Sequence, residues 1–481
     1  MSVSITGSGV SVTNAVASLS GLPSQSNNTI LSNVSGGSAA PSANTVTATL
    51  DSAISSTDGK MLARGASSWA ATDIPKGIGG RLTLTSGVPV LTSTVTGATA
   101  IYYTPYNGDT IPVYDGTAFV PVVFTEAQCT NTTTDATTNP AAVTTNACYD
   151  LFVWLNSGTP TLSRGPAWSK TGTMTYTIAN PAVCTVTSHG LYDGCAVTFT
   201  TTGAFATGGT NDIVAGTTYY VTVVDANSFK ISSSLANQVA GTYLNTTGGT
   251  GNSPTHTMTN RQVARGTGAG TSQIGLTNGI YTNTVAITNG PAANRGTYVG
   301  TVCSNSSSTI DFQIGALAAG HTPALLMVWN NYNRVTFTAY SADTADSWNY
   351  SAQAYQYSSG KLSTARHWFV RGLNEDTVSV KYFWAATNST STARIARVAI
   401  FCNPAPAFTF ATGITQASDQ KMITNAGYMA SVATFDSQVP IGLSYVAPAE
   451  WATGTDTQTW AGDAAGPTIF QSAAIYSTHR L

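Results

Sequence analysis

Four groups of residues in this chain have types and spacing that could do chemistry. Cys184, His189 and Cys195 fall within twelve residues, and two thiolates with an imidazole could hold a metal. Their spacing matches no zinc signature of the CxxC kind, so no metal site is expected there. A Cys184–Cys195 disulfide is the weaker alternative, because the two sit off register if the intervening turn centres near Leu191. Glu375 and Asp376 form an adjacent acidic pair in an aromatic region, with His367 and Arg371 close by. A glycosidase needs two carboxylates about 5–10 Å apart on opposite sides of a sugar. Adjacent strand residues point to opposite faces, so this dipeptide reads instead as a turn with an ion pair to Arg371. Trp348, Tyr350, Tyr355 and Tyr357 lie in a Ser-, Asp- and Gly-rich stretch that reads as loop. Rings presented there would suit the C–H-rich face of a pyranose, which makes them candidate glycan contacts. The competing reading is that they fill a core. Finally, Cys129 and Cys148 bracket the run TNTTTDATTNPAAVTTNA. A disulfide between them would close a loop of roughly 20 residues and contribute about 3 kcal/mol; otherwise they are two buried thiols at strand ends.

The motifs GxSxG, GxxxxGKS/T and HExxH are absent. No catalytic residue and no cofactor-binding residue can be named, and the chain reads as a non-enzyme. Composition excludes more. Charged residues are 8% of the 481 residues, against about 25% in ordinary soluble chains. Charge-driven disorder does not explain the deficit, because 42% of the chain is hydrophobic and 9% aromatic. The remainder is Thr, Ser, Asn and Gly, a neutral hydroxyl-rich surface that does not repel a second copy. Net charge is −2 with scattered cations, so there is no positive stripe for nucleic acid. No stretch approaches the roughly 20 apolar residues of a membrane helix. The N-terminus MSVSITGSGVSVTN lacks a basic region and an apolar core, so synthesis in a cytoplasm without export is expected. Glu occurs only at 126, 375 and 450 and Lys is sparse, which disfavours long exposed helices.

The elements that must position these groups read as strands. Residues 1–44, rich in Ser, Gly and Asn, suggest an extended arm that attaches to a partner. Residues 45–80 suggest a docking region, with one short helix around 47–55 that buries Leu50 and Ile54, then a strand from Lys60. From Arg81 the strand signals are dense: Arg81–Leu84, Ala100–Thr104, Ile111–Tyr114, Phe119–Phe124 and Cys148–Leu155, separated by turn residues. Pro89 marks Val88–Val95 as an edge. Ile280–Ile287, Thr297–Cys303, Ile310–Ile314 and Ala324–Trp329 continue the pattern. In VSVKYFWAAT and ARIARVAIF the alternation fits half-buried strands. The expected fold is all-β, in multi-domain β-sandwich or jelly-roll-like modules. Its parts are a central β domain (81–168 with 260–332), a small inserted β module (169–259) and a C-terminal sandwich (333–481).

The ordered runs ARGASSWAA, RLTLTSG, VTGATAIYYTPYNG, YDGTAFV, YDLFVWLNSGTPTLSRGPAW, WNNYNRV and FVRGLNED resemble a family of bacteriophage and prophage virion proteins, minor structural and tail-fibre-like. The resemblance covers roughly 45–168 and 260–380. Between them, TYTIANPAVCTVTSHGLYDGCAVTFTTTGAF and AGTTYYVTVVDANSFKISSS resemble a small module inserted repeatedly in phage tail proteins, with a His189-Gly190 turn and a Gly216–Tyr220 strand. The resemblance implies a virion component, made in the host cytoplasm and partnered by tail, connector or capsid proteins. A tail fibre or spike in host attachment, a homotrimer with possible contact to host glycan, is the leading expectation. A head-decoration, collar or head-fibre protein that stabilises the particle is the alternative. A glycan depolymerase is the third.

Overall fold

The computed structural model describes residues 77–481 except 132–141, 206–211, 247–254, 361–363, 404–415, 426 and 464–472. Within 1–76 it describes the backbone of six short strands. These strands pair antiparallel in three hairpins: Ser4–Thr6 with Gly9–Ser11, Thr29–Ser32 with Ser42–Thr45, and Lys60–Arg64 with Trp69–Asp73. The expected helix around 47–55 lies outside the described residues. Met1–Lys76 and Gly77–Leu481 form two separate units.

The second unit is all-β; among the described residues its one α-helix is the short Leu235–Val239. The strands arise where β-branched and aromatic residues alternate with Thr and Ser, and they end at residues that tolerate positive φ. Asn278 (φ 46) and Gly279 (φ 86) join Ile274–Thr277 to Ile280–Asn283. Such a two-residue turn twists as the strands do only when both residues reach the left-handed region. Cys148–Asn156 is buried along its first six residues, as its continuous apolar run predicts. It pairs with Thr159–Ala167 on one side and Thr297–Cys303 on the other.

A closed six-stranded barrel runs from Lys170 to Asn260. Its first and last strands pair with each other, Lys170 opposite Asn260, so the chain leaves the barrel where it entered. Residues flanking the two crossing points then meet around Asp150. This fully buried carboxylate accepts from Arg265 Nε (2.7 Å) and Nη2 (2.8 Å), Ser272 Oγ (2.5 Å), Thr301 Oγ1 (2.7 Å) and Trp168 Nε1 (3.1 Å). Asp150 and Trp168 precede the barrel and Arg265 and Ser272 follow it, so the network fastens the two chain segments together. Gly372 approaches so closely that a Cβ there would overlap Tyr298 and Trp329. Its carbonyl accepts from the same Arg265 at 2.9 Å.

The C-terminal part is a sandwich of two sheets. One runs in the order Gln416–Ile423, Arg394–Cys402, Gly442–Trp451, His367–Arg371, Ala324–Leu326, Ile310–Gln313, Val95–Ala98, with Tyr355–Tyr357 beside Gly442–Trp451. The other holds Leu317–Ala318, Thr336–Asp343, Ala474–Arg480, Thr377–Asn388, Gln458–Ala461 and Ser347–Tyr350, with Met429–Gln438 along the far side of Thr377–Asn388. The first sheet thus draws strands from 95–98 and 310–326 as well as from beyond residue 333. Gly77–Leu481 accordingly packs as one compact unit. The barrel is tied to the sandwich by Tyr192, whose hydroxyl donates to the Leu443 carbonyl and whose ring lies 5.8 Å from that of Tyr445.

Candidate functional site

The sequence-predicted site residues are dispersed. Tyr355 and Tyr357 do not form an exposed loop. They belong to a strand paired with Ala449–Trp451, are 8% and 5% exposed, and pack on Phe401 and Tyr445. Their candidate glycan role is corrected on that ground: the Ser/Gly-rich context is a strand whose Tyr residues point inward. Trp348 and Tyr350 are half-buried on Ser347–Tyr350. The Trp348 indole donates to both oxygens of Glu450, at 2.8 and 2.9 Å, and the Tyr350 hydroxyl donates to the Ala354 carbonyl at 2.7 Å.

Cys148 is bonded to Cys303 rather than to Cys129. The two stand directly opposite in the register of Cys148–Asn156 and Thr297–Cys303. Cys129 lies on Ala127–Thr130, opposite Ile101, and remains a buried thiol. Proximity in sequence favoured 129; adjacency in the sheet selects 303, 155 residues away. Cys184 and Cys195 are also buried thiols, and burial pushes both up to about 12. His189 sits in the turn between them, with Nε2 2.9 Å from the Asp225 carbonyl and Nδ1 accepting from Leu191 N–H. Among the described residues no His, Cys, Asp and Glu side chains cluster as a metal site. Glu375 and Asp376 occupy the turn before Thr377–Asn388. Arg334 bridges both, with Arg371 3.5 Å and Arg480 3.7 Å from Asp376.

Two arrangements in the sandwich escaped the sequence reading. The first is a polar seam between the sheets. His479 Nε2 is 2.9 Å from Ser477 Oγ, which is 2.7 Å from His367 Nδ1. His367 Nε2 is 3.1 Å from Ser341 Oγ, and His321 lies between Ser341 (3.5 Å) and Ser358 (3.3 Å). Ser358 meets the Tyr382 hydroxyl at 2.9 Å. Burial lowers His321 to about 4, with Asp343 opposing, and lowers His367 to about 3, with His321 adding to the effect. His479 falls well below its ordinary value by burial, then by Arg371 and His367. Nearby, burial raises Glu450 to about 8 against the hydrogen bonds of Gln356 and Trp348. These neutral groups join the two sheets, and every His, Ser and Tyr in the chain of contacts is buried.

The second is the solvent face of the other sheet. Strand registers place Tyr340 opposite Tyr476, Tyr476 opposite Lys381, and Phe383 opposite Val432. The Tyr340 and Tyr476 rings stack at 5.9 Å, and Phe383 meets Tyr476 edge-on at 5.6 Å. Phe383, Tyr476 and Val432 are 40%, 38% and 37% exposed. One row along, Thr338 faces Thr478, Thr478 faces Ser379, and Ser379 faces Asp436. The next row is Thr336, Arg480, Thr377 and Gln438. A signal existed: in VSVKYFWAAT, Phe383 is out of phase with the inward Val378, Val380, Tyr382 and Trp384.

No family model matches the chain, and no curated protein matches it. Among solved structures it matches one of the infectious bursal disease virus Gx strain at 10% identity, with 83% of this chain and 75% of that chain covered and a TM-score of 0.17. A Gt-strain structure of the same virus matches at 11% identity over 90% and 82% of the two chains, with a TM-score of 0.12. Similarity at that level carries no argument about fold or role.

Proposed function

We propose that this chain is a non-enzymatic structural component of a bacteriophage virion, most directly a tail-fibre- or spike-like appendage that takes part in host attachment. The observation that carries the reading is the ordered set of sequence runs between residues 63 and 376 that resemble phage virion proteins. The all-β build and the charge-poor, hydroxyl-rich surface are consistent with it. The N-terminal unit docks the chain to the particle, and Gly77–Leu481 is the body. The aromatic face on its C-terminal sandwich is the part that meets the host. A homotrimer is proposed by likeness to such appendages.

A head-decoration, collar or head-fibre role is the second reading. It is favoured by the packing of Gly77–Leu481, barrel included, as one compact unit rather than a string of separate modules. Deleting the coding sequence from the phage genome separates the two. For the appendage, DNA-filled particles form and fail to adsorb to cells. Particles that leak DNA or fall apart support the second reading, and stable particles that adsorb normally refute host attachment.

A further inference from the structure

We propose that the exposed face centred on Tyr340, Tyr476 and Phe383 binds a neutral oligosaccharide laid across four strands. A sugar ring offers apolar C–H faces and a rim of hydroxyls, and this face offers both complements side by side. Three rings supply the apolar cluster, Tyr340 and Tyr476 in one row and Phe383 in the row beside it. The adjoining rows supply Thr338, Thr478, Ser379, Asp436 and Gln438, and Lys381 stands beside Tyr476 in its own row, so donors and acceptors flank the rings.

Size and charge select this occupant over the alternatives. The face spans three inter-strand gaps of about 4.8 Å and six residues at about 3.4 Å each, roughly 300 Å² in all. A stable protein interface needs roughly 800 Å² per partner, so a second copy of the chain is poorly served by it. Lys381 and Arg480 are offset by Asp436 on the same face, and Arg480 lies 3.7 Å from Asp376. The mixed signs provide no field to hold a polyanion. Trp348, one of the four aromatic residues the sequence put forward, already spends its indole N–H on Glu450. The inference rests on the host-attachment reading for its purpose but not for its chemistry, so it is tested on the isolated chain.

The experiment is native affinity electrophoresis of the intact chain in gels cast with dextran, galactomannan or alginate. At least one of the two neutral polysaccharides is expected to retard the chain, and alginate is not. Phe383→Ala with Tyr476→Ala should weaken that retardation at least tenfold, with native mass and thermal midpoint unchanged, while Trp348→Phe leaves it intact. If the double variant does not fold, Phe383→Gln alone replaces it. No retardation by dextran or galactomannan overturns the proposal, as does retardation by alginate only. Retardation unchanged in the variants overturns it too, and a change of native mass in the variants shows that another copy covers the face. Particle deletion phenotypes are independent of all these outcomes.

Discussion

Cys148 and Cys303 illustrate how one residue pair can hold distant parts of this chain. Their bond spans 155 residues and encloses the whole barrel. Closing a loop of that length in the unfolded state is worth about 5 kcal/mol in the chain-entropy model. Peptide mapping without reductant should recover Cys148 linked to Cys303, and a Cys129–Cys148 peptide would contradict the fold. Asp150 holds the same region by charge. Burial opposes the Arg265 charge, but the Asp150 carboxylate and its hydrogen bonds outweigh that and hold the guanidinium above its ordinary value. Removing one partner of such a pair strands the other, so Asp150→Ala should cost about 3–5 kcal/mol. Denaturant titration measures it; a loss under about 1 kcal/mol, as for exposed pairs, would show that the network is not buried in solution.

At the scale of elements, the polar seam makes the sandwich sensitive to pH from both sides. His321, His367 and His479 have lowered values in the fold. The unfolded chain therefore binds protons that the folded one refuses, and their contribution is intact above about 6.5 and lost as pH falls. His189, lowered by burial, acts the same way. Glu450, raised to about 8, and Asp193, raised to about 7, both by burial, have the opposite sign. Their contribution is present below the ordinary carboxylate range and lost as pH rises through 7 to 8. Between about pH 4.5 and 6.5 the three seam imidazoles outweigh two carboxyls, and His189 adds in the same direction, so acid destabilises on balance. Each net proton amounts to about 1.4 kcal/mol per pH unit. Thermal melts should therefore peak near pH 6.5 and decline in both directions. Glu450→Gln, which keeps an acceptor for Trp348, should flatten the decline toward pH 8; an unchanged alkaline limb would mean that Glu450 is not buried neutral. How much of this was legible follows from the elements themselves. Strands such as Thr297–Cys303 and Thr377–Asn388 were readable because alternation and turn residues are local. Tyr355–Tyr357 was misread because its inward side depends on pairing with Gly442–Trp451, about ninety residues on. The seam and the disulfide were invisible for the same reason: their members are brought together by sheet order, which local periodicity does not encode.

For the whole molecule, the scarcity of charge matters as much as the fold. A chain with 8% charged residues has few charges to present to its surroundings, and repulsion between copies is weak. The trimer expected of an appendage should give a native mass three times 49.5 kDa. Reductant should leave that mass unchanged, because the one disulfide among the described residues lies within a single chain. A monomer would move the reading toward a decoration or collar subunit. The central claim, that the chain is built into a phage particle, is met most directly by quantitative mass spectrometry of gradient-purified virions. The account predicts this chain at a fixed, small number of copies per particle, co-sedimenting with infectivity and resisting high salt. Its absence from purified particles, or its loss from them in a salt wash, would contradict the account.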